Sequence, residues 1–409
     1  MDHASIHFYM PGTNFMAKET VLIIEPDFSG HRWRYAEWAA NAYMEAGYRC
    51  LIVTTPRNAA HPLVRKIHEE GGDALRITLV APPEHGARKG LSSISYMRAH
   101  AEFRHAYAMA SREHKVALVI VPYVDYFLLA LPFLRSPFGK TPWVGVTMRS
   151  NFHHHLVGVR APRRPLVNAV KSKLFARAVR VGGMKTLLTI DPTLPDWWKR
   201  NANHAGGTSI DYLADPFPDA HAAEPSAAKQ RLGLSDGKHV LVYGAINDRK
   251  GLFELIDALA ARNGDARAPT LVIAGKQDDD ARDLLTAAVK KLEPAPIVMD
   301  RFIPSEMELD LFSACDVVWL GYKGHYGMSG VLVQAFRFGK PVVATADGLI
   351  GWFCRTGDLG PVIDDLTPQS INRALDDVLA RSTQPLVQGH LLERNTLTQF
   401  KETLRQAMA

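Results

Sequence analysis

Short apolar runs alternate with helical patterns along most of the chain. In the first half the runs are TVLIIEP (20–26), RCLIVTT (49–55), LRITLVA (75–81), ALVIVP (117–122), WVGVTM (143–148) and LLTID (187–191). Most are continuously apolar, as parallel strands covered on both faces should be. Helical patterns lie between them, such as RWRYAEWAANAYMEAG, closed by Gly47. The second half repeats the plan with HVLVYG (239–244), TLVIAG (270–275), IVMD (297–300), DVVWL (316–320) and PVVAT (341–345). Ser305 with Glu308 three residues on has the spacing of a capping box.

This alternation predicts an α/β protein with two Rossmann-like, doubly wound domains, and a chain of 409 residues is long enough for two cores. The first domain is expected over 19–200 and the second over 208–385. The crossover is placed at about 192 to 215, beside a Pro-, Ala- and Asp-rich stretch at 211–237. Residues 386–409 end in an amphipathic helical pattern expected to pack back toward the first domain. Residues 1–18 read as a disordered lead, with Met1 and Met16 both candidate starts. In doubly wound sheets ligands bind beyond the carboxyl ends of the strands, so the loops after strands are the place to look for chemistry.

Composition narrows the class. Apolar residues are 47% and charged residues 22%, a globular balance. The three cysteines, Cys50, Cys315 and Cys354, show no disulfide or metal spacing, which suggests a reducing compartment. The most apolar stretch, 116–134, carries Pro122, Asp125 and Pro132 and reads as a strand and helix rather than a membrane span. The net charge of +6 is uneven: between Asp125 and Asp191 there are eleven Lys and Arg and no acid. Such a window is an ordinary solvated face or a surface for anionic lipid or a phosphorylated substrate. No nucleic-acid-binding motif accompanies it, so nucleic acid is not expected as a partner. Within it Arg163, Arg164, Lys171, Lys173 and Arg177 fall on one predicted helix, with Leu166, Val170, Leu174 and Val181 along one side. That helix is either membrane-facing or core-packed with a basic outer face.

Two loops of the second half carry the clearest chemistry. After DVVWL comes GYKGHYGM and then a helix expected from about Ser329 to Phe338, stopped by Gly339. Ser329, Gly330 and Val331 at its start leave backbone N–H groups free, and with the helix dipole they suit an anion. His325 adjoins this loop. After HVLVYG come Arg249, Lys250 and Gly251 at the start of another helix. Cations at a helix N-terminus oppose the dipole, so an anionic ligand such as a diphosphate explains them better than a solvated pair does.

These residues resemble the donor domain of GT-B glycosyltransferases, most of all glycosyltransferase family 4. That family shows a strand, Gly–(x)5–Lys–Gly–(x)3–Leu–Ile, matched here by Gly244, Lys250, Gly251, Leu255 and Ile256. A strand ending in Gly275, then Cys315–Asp316–Val317, and then QAFRFGKPVV for the family's "EAxxxGxPVV" follow in order. The resemblance covers most of 239–380 and implies the GT-B fold and a nucleoside-diphosphate-sugar donor. It also departs from the family. Ala245 stands where the family has Arg, and the family's Glu-(x)7-Glu pair is Tyr326 and Gln334. Gln334 can still bond ribose hydroxyls but supplies no negative charge.

The resemblance assigns the acceptor to the first domain. Gly30 and His31 open its first helix, with His31 a candidate base or donor to the sugar. Arg149 follows WVGVTM where many family members have a sugar-contacting His, and His153, His154 and His155 come next. Arg149 suits phosphate or leaving-group charge. One of the histidines is expected to face the cleft, His153 as a catalytic group or His154 on the acceptor side. Three adjacent histidines are not a metal motif, and no cofactor or metal is expected. Asp278, Asp279 and Asp280 read as a helix start, and Asp27 and Asp125 as capping acids.

The expected function is therefore glycosyl transfer to a glycan or lipid-linked glycan in cell-surface polysaccharide synthesis. It would be metal-independent, retaining, and cytoplasmic or peripheral on the inner membrane face. The alternatives are a silent GT-B protein that binds a nucleotide sugar or a partner, and a sugar-nucleotide epimerase of the same fold.

Overall fold

A computed structural model describes residues 19–30, 32–83, 92–201, 208–217, 221–381 and 390–408. The stretch 1–18 and His31 lie outside the described residues.

Among the described residues thirteen strands form two all-parallel sheets. The first comprises β1 (Thr20–Ile24), β2 (Arg49–Thr54), β3 (Leu75–Leu79), β4 (Val116–Val121), β5 (Trp143–Thr147), β6 (Thr186–Thr189) and β7 (Ser209–Tyr212), in the order β3-β2-β1-β4-β5-β6-β7. The second comprises β8 (His239–Tyr243), β9 (Thr270–Ala274), β10 (Ile297–Met299), β11 (Val317–Leu320), β12 (Val342–Thr345) and β13 (Val362–Ile363), in the order β10-β9-β8-β11-β12-β13. In each sheet the order reverses at one point, between β1 and β4 and between β8 and β11. That reversal opens a crevice at the carboxyl ends of those strands.

The continuous apolar runs map onto strands that are buried on both faces: every residue of β1, β5 and β9 is buried. Two strands escaped the apolar pattern. β7 has only Ile210 buried, and β13 is two residues long. The stretch 192–215 therefore contains the helix Thr193–Asn201 and the edge strand β7 of the first sheet, rather than a crossover alone.

The halves are tied at several points. The last helix (Leu397–Gln406) packs on the first (Arg32–Glu45): Tyr43 donates to the Leu404 carbonyl at 2.7 Å, and Phe400 lies between Tyr35 and Trp38. Phe217 stacks edge-on against Phe338 of the second half, with 5.6 Å between ring centroids. Arg160 of the first half bridges Asp347 at 3.0 Å and accepts from the Gly348 N–H at 2.8 Å. Among the described residues no helix is long and apolar enough to cross a membrane.

Candidate functional site

The loop after β8 is shaped by glycine. Gly244 has φ +97°, and residues Asp248–Lys250 make one short helical turn that ends at Gly251, φ +61°. A Cβ on Gly251 would sit 2.1 Å from the Gly321 carbonyl oxygen, so only glycine lets the two loops approach. This close approach folds Lys250 back over the strand end. Its Nζ donates to the Tyr243 carbonyl at 2.6 Å and to the Tyr322 hydroxyl at 2.7 Å, lying 4.6 Å from the Tyr322 ring centre. A Cβ on Gly244 would come within 3.4 Å of that ammonium, so the bare backbone at Gly244 leaves room beside the charge.

The neighbouring loop closes the other side. The Lys323 N–H donates to the Arg249 carbonyl at 2.8 Å. Arg249 Nη2 lies 3.2 Å from His325 Nδ1, and His325 Nε2 lies 3.1 Å from the Met328 carbonyl. A carbonyl only accepts and a guanidinium only donates, so Nε2 carries the proton and Nδ1 receives Arg249. Burial lowers the His325 pKa, and the charges of Arg249 and Lys250 lower it further. The ring is thus a neutral brace for Arg249.

The helix Gly330–Arg337 starts beyond this loop. Ser329 is its N-cap in extended conformation, but its side chain caps nothing, and a Cβ on Gly330 would meet no atom within 4 Å. The space beside Gly330 is therefore open, although Ser329 and Val331 are buried. Arg249, Lys250, Gly251 and His325 thus come together at the carboxyl ends of β8 and β11, and Ser329, Gly330 and Val331 begin the helix to which the His325 loop leads.

Gln334 has a partner that the sequence did not suggest. It is buried, and its Nε2 donates to the carboxylate of Glu308. Glu308 in turn does not complete a capping box. The helix Ser305–Ala314 has Pro304 at its N-cap with no side-chain cap bond, and Glu308 is turned inward. Asp278 stands at the N-cap position of the helix Asp279–Val289 without a side-chain cap bond, with Asp279 and Asp280 in its first turn.

Facing these loops is the first sheet's carboxyl edge. A Cβ on Gly327 would come within 3.8 Å of the Met148 carbonyl, so the loop after β11 abuts the end of β5. Arg149, next along, is exposed, and its guanidinium lies 5.4 Å from the Tyr123 ring centre. Arg32 lies 5.0 Å from the same ring. Arg32 pairs with Asp27 and donates to the Tyr126 hydroxyl at 2.8 Å, which donates to Glu25 at 2.9 Å. Asp125 does not cap a helix but accepts from Thr147 and from the Met148 N–H, both at 2.7 Å, and so fixes the turn that presents Arg149. Gly30 occupies an exposed turn at φ +63°.

Glu25, Arg32 and Tyr123 were missed in the sequence. The available signal was an acid closing an otherwise apolar strand run, TVLIIE. Glu25 is fully buried with Oε2 unpartnered among the described residues. Burial pushes its pKa up to about 8, against the lowering effects of the Asp27 N–H, Tyr126 and Arg32.

The histidines behave otherwise than expected. His153 and His154 do not line the cleft; both are buried against Asp191 at the end of β6. His154 Nε2 lies 2.8 Å from Asp191 Oδ2, and His153 Nε2 lies 3.3 Å from the same oxygen and 3.0 Å from Thr193 Oγ1. Thr193 also donates its N–H and hydroxyl to Asp191 Oδ1. Burial alone would raise the Asp191 pKa, but hydrogen bonds and charge from the two rings hold it well below the carboxylate range. The physical reason for the inward turn is the acid: Asp191 would be costly to bury without donors. Three potential metal-ligand atoms of this trio lie within 4.8 Å of one another, but both Nε2 atoms are turned to the carboxylate. His155 stays exposed.

The basic helix, Pro165–Val181, is only half packed. Phe175, Ala178 and Val179 are buried, whereas Leu166 is 83% exposed and Val170 57%. The expected apolar side is therefore not a core face at its N-terminal end. Arg163, Arg164, Lys171, Lys173 and Arg177 are also exposed, though Arg177 donates to the Pro132 carbonyl at 3.1 Å.

Comparison with known proteins agrees with this architecture. Residues 226–389 match the family described as "Glycosyl transferases group 1". Among curated proteins, a lipopolysaccharide core biosynthesis glycosyltransferase, LpsE of Rhizobium meliloti, is 26% identical over 174 residues, which are 42% of this chain and 48% of that one. The chain thus spans about half the length of that relative. Among solved structures, sucrose-phosphate synthase from Thermosynechococcus elongatus superposes with a TM-score of 0.65 at 14% identity, covering 96% of this chain and 95% of the other. HepE from Anabaena, solved with UDP and glucose, gives 0.63 at 16% identity over 95% and 99%. WaaG, a glycosyltransferase involved in lipopolysaccharide biosynthesis, gives 0.56 at 15% identity over 95% and 98%. The chain carries a group 1 glycosyl transferase domain in its second half and has, over its two sheets, the GT-B fold.

Proposed function

We propose that this protein is a glycosyltransferase that moves a sugar from a nucleoside-diphosphate sugar to a hydroxyl of a glycan or lipid-linked glycan, in cell-surface polysaccharide synthesis. One observation carries the reading: Arg249 and Lys250 are held at the carboxyl ends of β8 and β11, beside the loop that leads into the uncapped N-terminus of the Gly330–Arg337 helix and abuts the end of β5 just before Arg149. These are the groups that a diphosphate leaving group needs. When the bond between the anomeric carbon and the phosphate oxygen breaks, the charge left on the diphosphate falls on an ammonium, a guanidinium and oriented N–H groups. That supply of positive charge supports a metal-independent reaction, and the family resemblance favours retention. The UDP-glucose complex of HepE and the lipopolysaccharide role of WaaG support the donor class and the pathway class.

The acceptor would lie on the first sheet's edge, near Arg149, Arg32 and Tyr123. His153 and His154, being buried, would hold the turn that carries Arg149 instead of meeting substrate. A lipid-linked acceptor fits the half-packed basic helix, whose exposed apolar and basic side chains would rest on an anionic membrane, at its cytoplasmic face.

The test is a thermal-shift and calorimetry screen of UDP, GDP, ADP and TDP with their sugars. One nucleotide family should stabilise the wild type. Lys250→Ala should weaken its binding about 10- to 100-fold, the worth of a charge-assisted contact to phosphate. If no nucleotide binds, these loops are not a donor site and the reading fails. Binding without sugar transfer to any acceptor would favour the silent GT-B alternative.

A further inference from the structure

Two guanidiniums lie on one aromatic ring at the first sheet's edge, outside the loops assigned to the diphosphate. Arg32 is 5.0 Å and Arg149 5.4 Å from the centre of the Tyr123 ring. The three residues reach that place from different elements. Arg32 begins the helix after β1, Tyr123 follows β4 and Arg149 follows β5. The order of the first sheet reverses between β1 and β4, so the group stands in the crevice where such sheets take ligands. It also stands beside the second domain, since the carbonyl of Met148, the residue before Arg149, meets Gly327 there.

Like charges held on one ring repel, and the fold leaves both with open donors. Arg149 is exposed, and its side chain makes no ion pair or hydrogen bond among the described residues. Arg32 pairs with Asp27 and donates to Tyr126, but through Nη1 alone. Its Nε and Nη2 have no partner among the described residues, on a side chain 25% exposed. The acids nearby are engaged or neutral. Asp27 accepts from Arg32 and from the Ser29 N–H, with Arg57 3.9 Å away. Asp125 is bonded to Thr147 and to the Met148 N–H. Glu25 lies beneath: burial pushes its pKa up to about 8, so at neutral pH it holds a proton and adds no negative charge beside Arg32. The approach is open as well, because a Cβ on Gly30, in the turn before the helix, would meet no atom within 4 Å.

A guanidinium presents its donors as a planar fork that matches the paired oxygens of a phosphoryl or carboxylate group. Such a group can bridge Arg32 and Arg149 and relieve their repulsion. A neutral sugar offers neither the charge nor the paired oxygens. We propose that the acceptor is anionic: Arg32 and Arg149, set on Tyr123, bind a phosphoryl or carboxylate group that the acceptor carries. The inference rests on the glycosyltransferase reading and narrows its substrate class. It makes the two arginines specificity determinants. It also gives the Glu25–Tyr126–Arg32 chain a task, which is to hold one guanidinium at the ring.

The experiment is calorimetry on the full chain, with the donor loops first saturated by the nucleoside diphosphate that binds best. The probes are glucose 6-phosphate, glucuronate, glucose and inorganic phosphate. At least one of the two anionic sugars should bind about 10-fold or more tighter than glucose, the worth of a hydrogen bond between charged groups. Which one does so names the oxyanion. Arg149→Gln, and Arg32→Lys, which keeps the charge but not the fork, should each weaken that probe about 10-fold. Both should leave nucleoside-diphosphate affinity unchanged, which also reports that the variants are folded. If neither anionic sugar binds better than glucose, the inference fails while the donor reading stands. It fails too if inorganic phosphate binds as tightly as the anionic sugar, since the pair is then an anion site with no sugar beside it. Arg149→Gln weakening the nucleotide as much as the probe would assign that guanidinium to the donor and overturn the inference. If wild type binds no nucleotide, the donor reading itself has failed, and the inference falls with it.

Discussion

The two faces of the cleft are built by different means. On the second sheet the face is made of backbone: Gly244, Gly251 and Gly330 leave space, a helix start leaves N–H groups, and one lysine folds over the strand end. On the first sheet the edge is made of buried side chains that hold one another: Glu25 with Tyr126 and Arg32, Asp125 with the β5 turn, and Asp191 with two histidines. The backbone-built face leaves little freedom in sequence, because a Cβ in the wrong place ends it. The side-chain-built face can be assembled from many residue combinations.

The sharpest way to break the comparison is at Gly251. Gly251→Ala places a methyl 2.1 Å from a carbonyl oxygen and forces φ +61° on an L-residue. The backbone term alone costs about 1–2 kcal/mol, and the contact adds to it. Chemical denaturation should show a loss of at least about 2 kcal/mol, and nucleotide stabilisation should vanish. A variant as stable as wild type would mean that the two donor-side loops do not meet as described.

The same contrast explains what could be read in the sequence. Apolar runs gave eleven of the thirteen described strands, most of them apolar on both sides as parallel strands sheathed by helices must be, although β3 alternates and no residue of β10 is fully buried. β7 and β13 were missed because an edge strand and a two-residue strand have too few buried positions to show a run. Lys250, Gly251 and Ser329 were legible because their spacing is local. His153, His154 and Glu308 were not, because each is decided by a partner far along the chain: Asp191 for the histidines, and Gln334 for the glutamate. A histidine at a strand's carboxyl end looks the same in sequence whether it faces the cleft or an acid beneath it.

The buried histidines make the second prediction. Burial lowers the His153 pKa below its ordinary 6.5. The unfolded chain therefore takes up a proton that the folded one refuses, and stability falls as pH drops below about 6.5. Asp191 adds to this further down: its depressed pKa gives stability that is present above the ordinary value of 3.8 and is lost as pH falls below it. Asp191→Asn should destabilise the wild-type fold by about 2–3 kcal/mol at pH 7, since two buried rings lose their carboxylate. Between pH 7 and 5 the denaturation midpoint of wild type should fall relative to that of His153→Gln, a difference in which the other titrating groups cancel. A difference between the two midpoints that stays constant over this range would show that the ring titrates freely.

Glu25 has the opposite sign. Its folded pKa is raised to about 8 while the unfolded chain ionises near 4.5, so the folded state holds a proton that the unfolded state has lost. Stability attributable to this group therefore falls as pH rises from about 4.5 to 8. Glu25→Gln keeps the neutral shape and should be more stable than wild type at pH 8, by an amount that shrinks toward pH 4.5. Thermal denaturation at the two pH values measures it. Equal stability difference at both would mean the carboxyl is solvated and ionised, and the Glu25–Tyr126–Arg32 chain is not closed.

The smallest effect on the fold should come from the basic helix, and it separates surface from core. Leu166 at 83% exposure and Val170 at 57% contribute little to packing, whereas Phe175 on the same helix is 1% exposed. Leu166→Gln with Val170→Gln should shift stability within about 0.5 kcal/mol, as surface changes do. Phe175→Ala should cost about 3–5 kcal/mol through the cavity it leaves. Binding to vesicles containing anionic lipid should move the other way. Burying these two side chains is worth about 1.5–3 kcal/mol each, and each nearby Lys or Arg adds about 1 kcal/mol at an anionic surface. The double Gln variant should therefore lose vesicle binding at least 10-fold in sedimentation, and neutral vesicles should bind wild type weakly. If the double variant binds anionic vesicles as well as wild type does, the helix is an ordinary solvated face. The first domain's charge then serves its substrate edge alone, where Arg32 and Arg149 flank Tyr123.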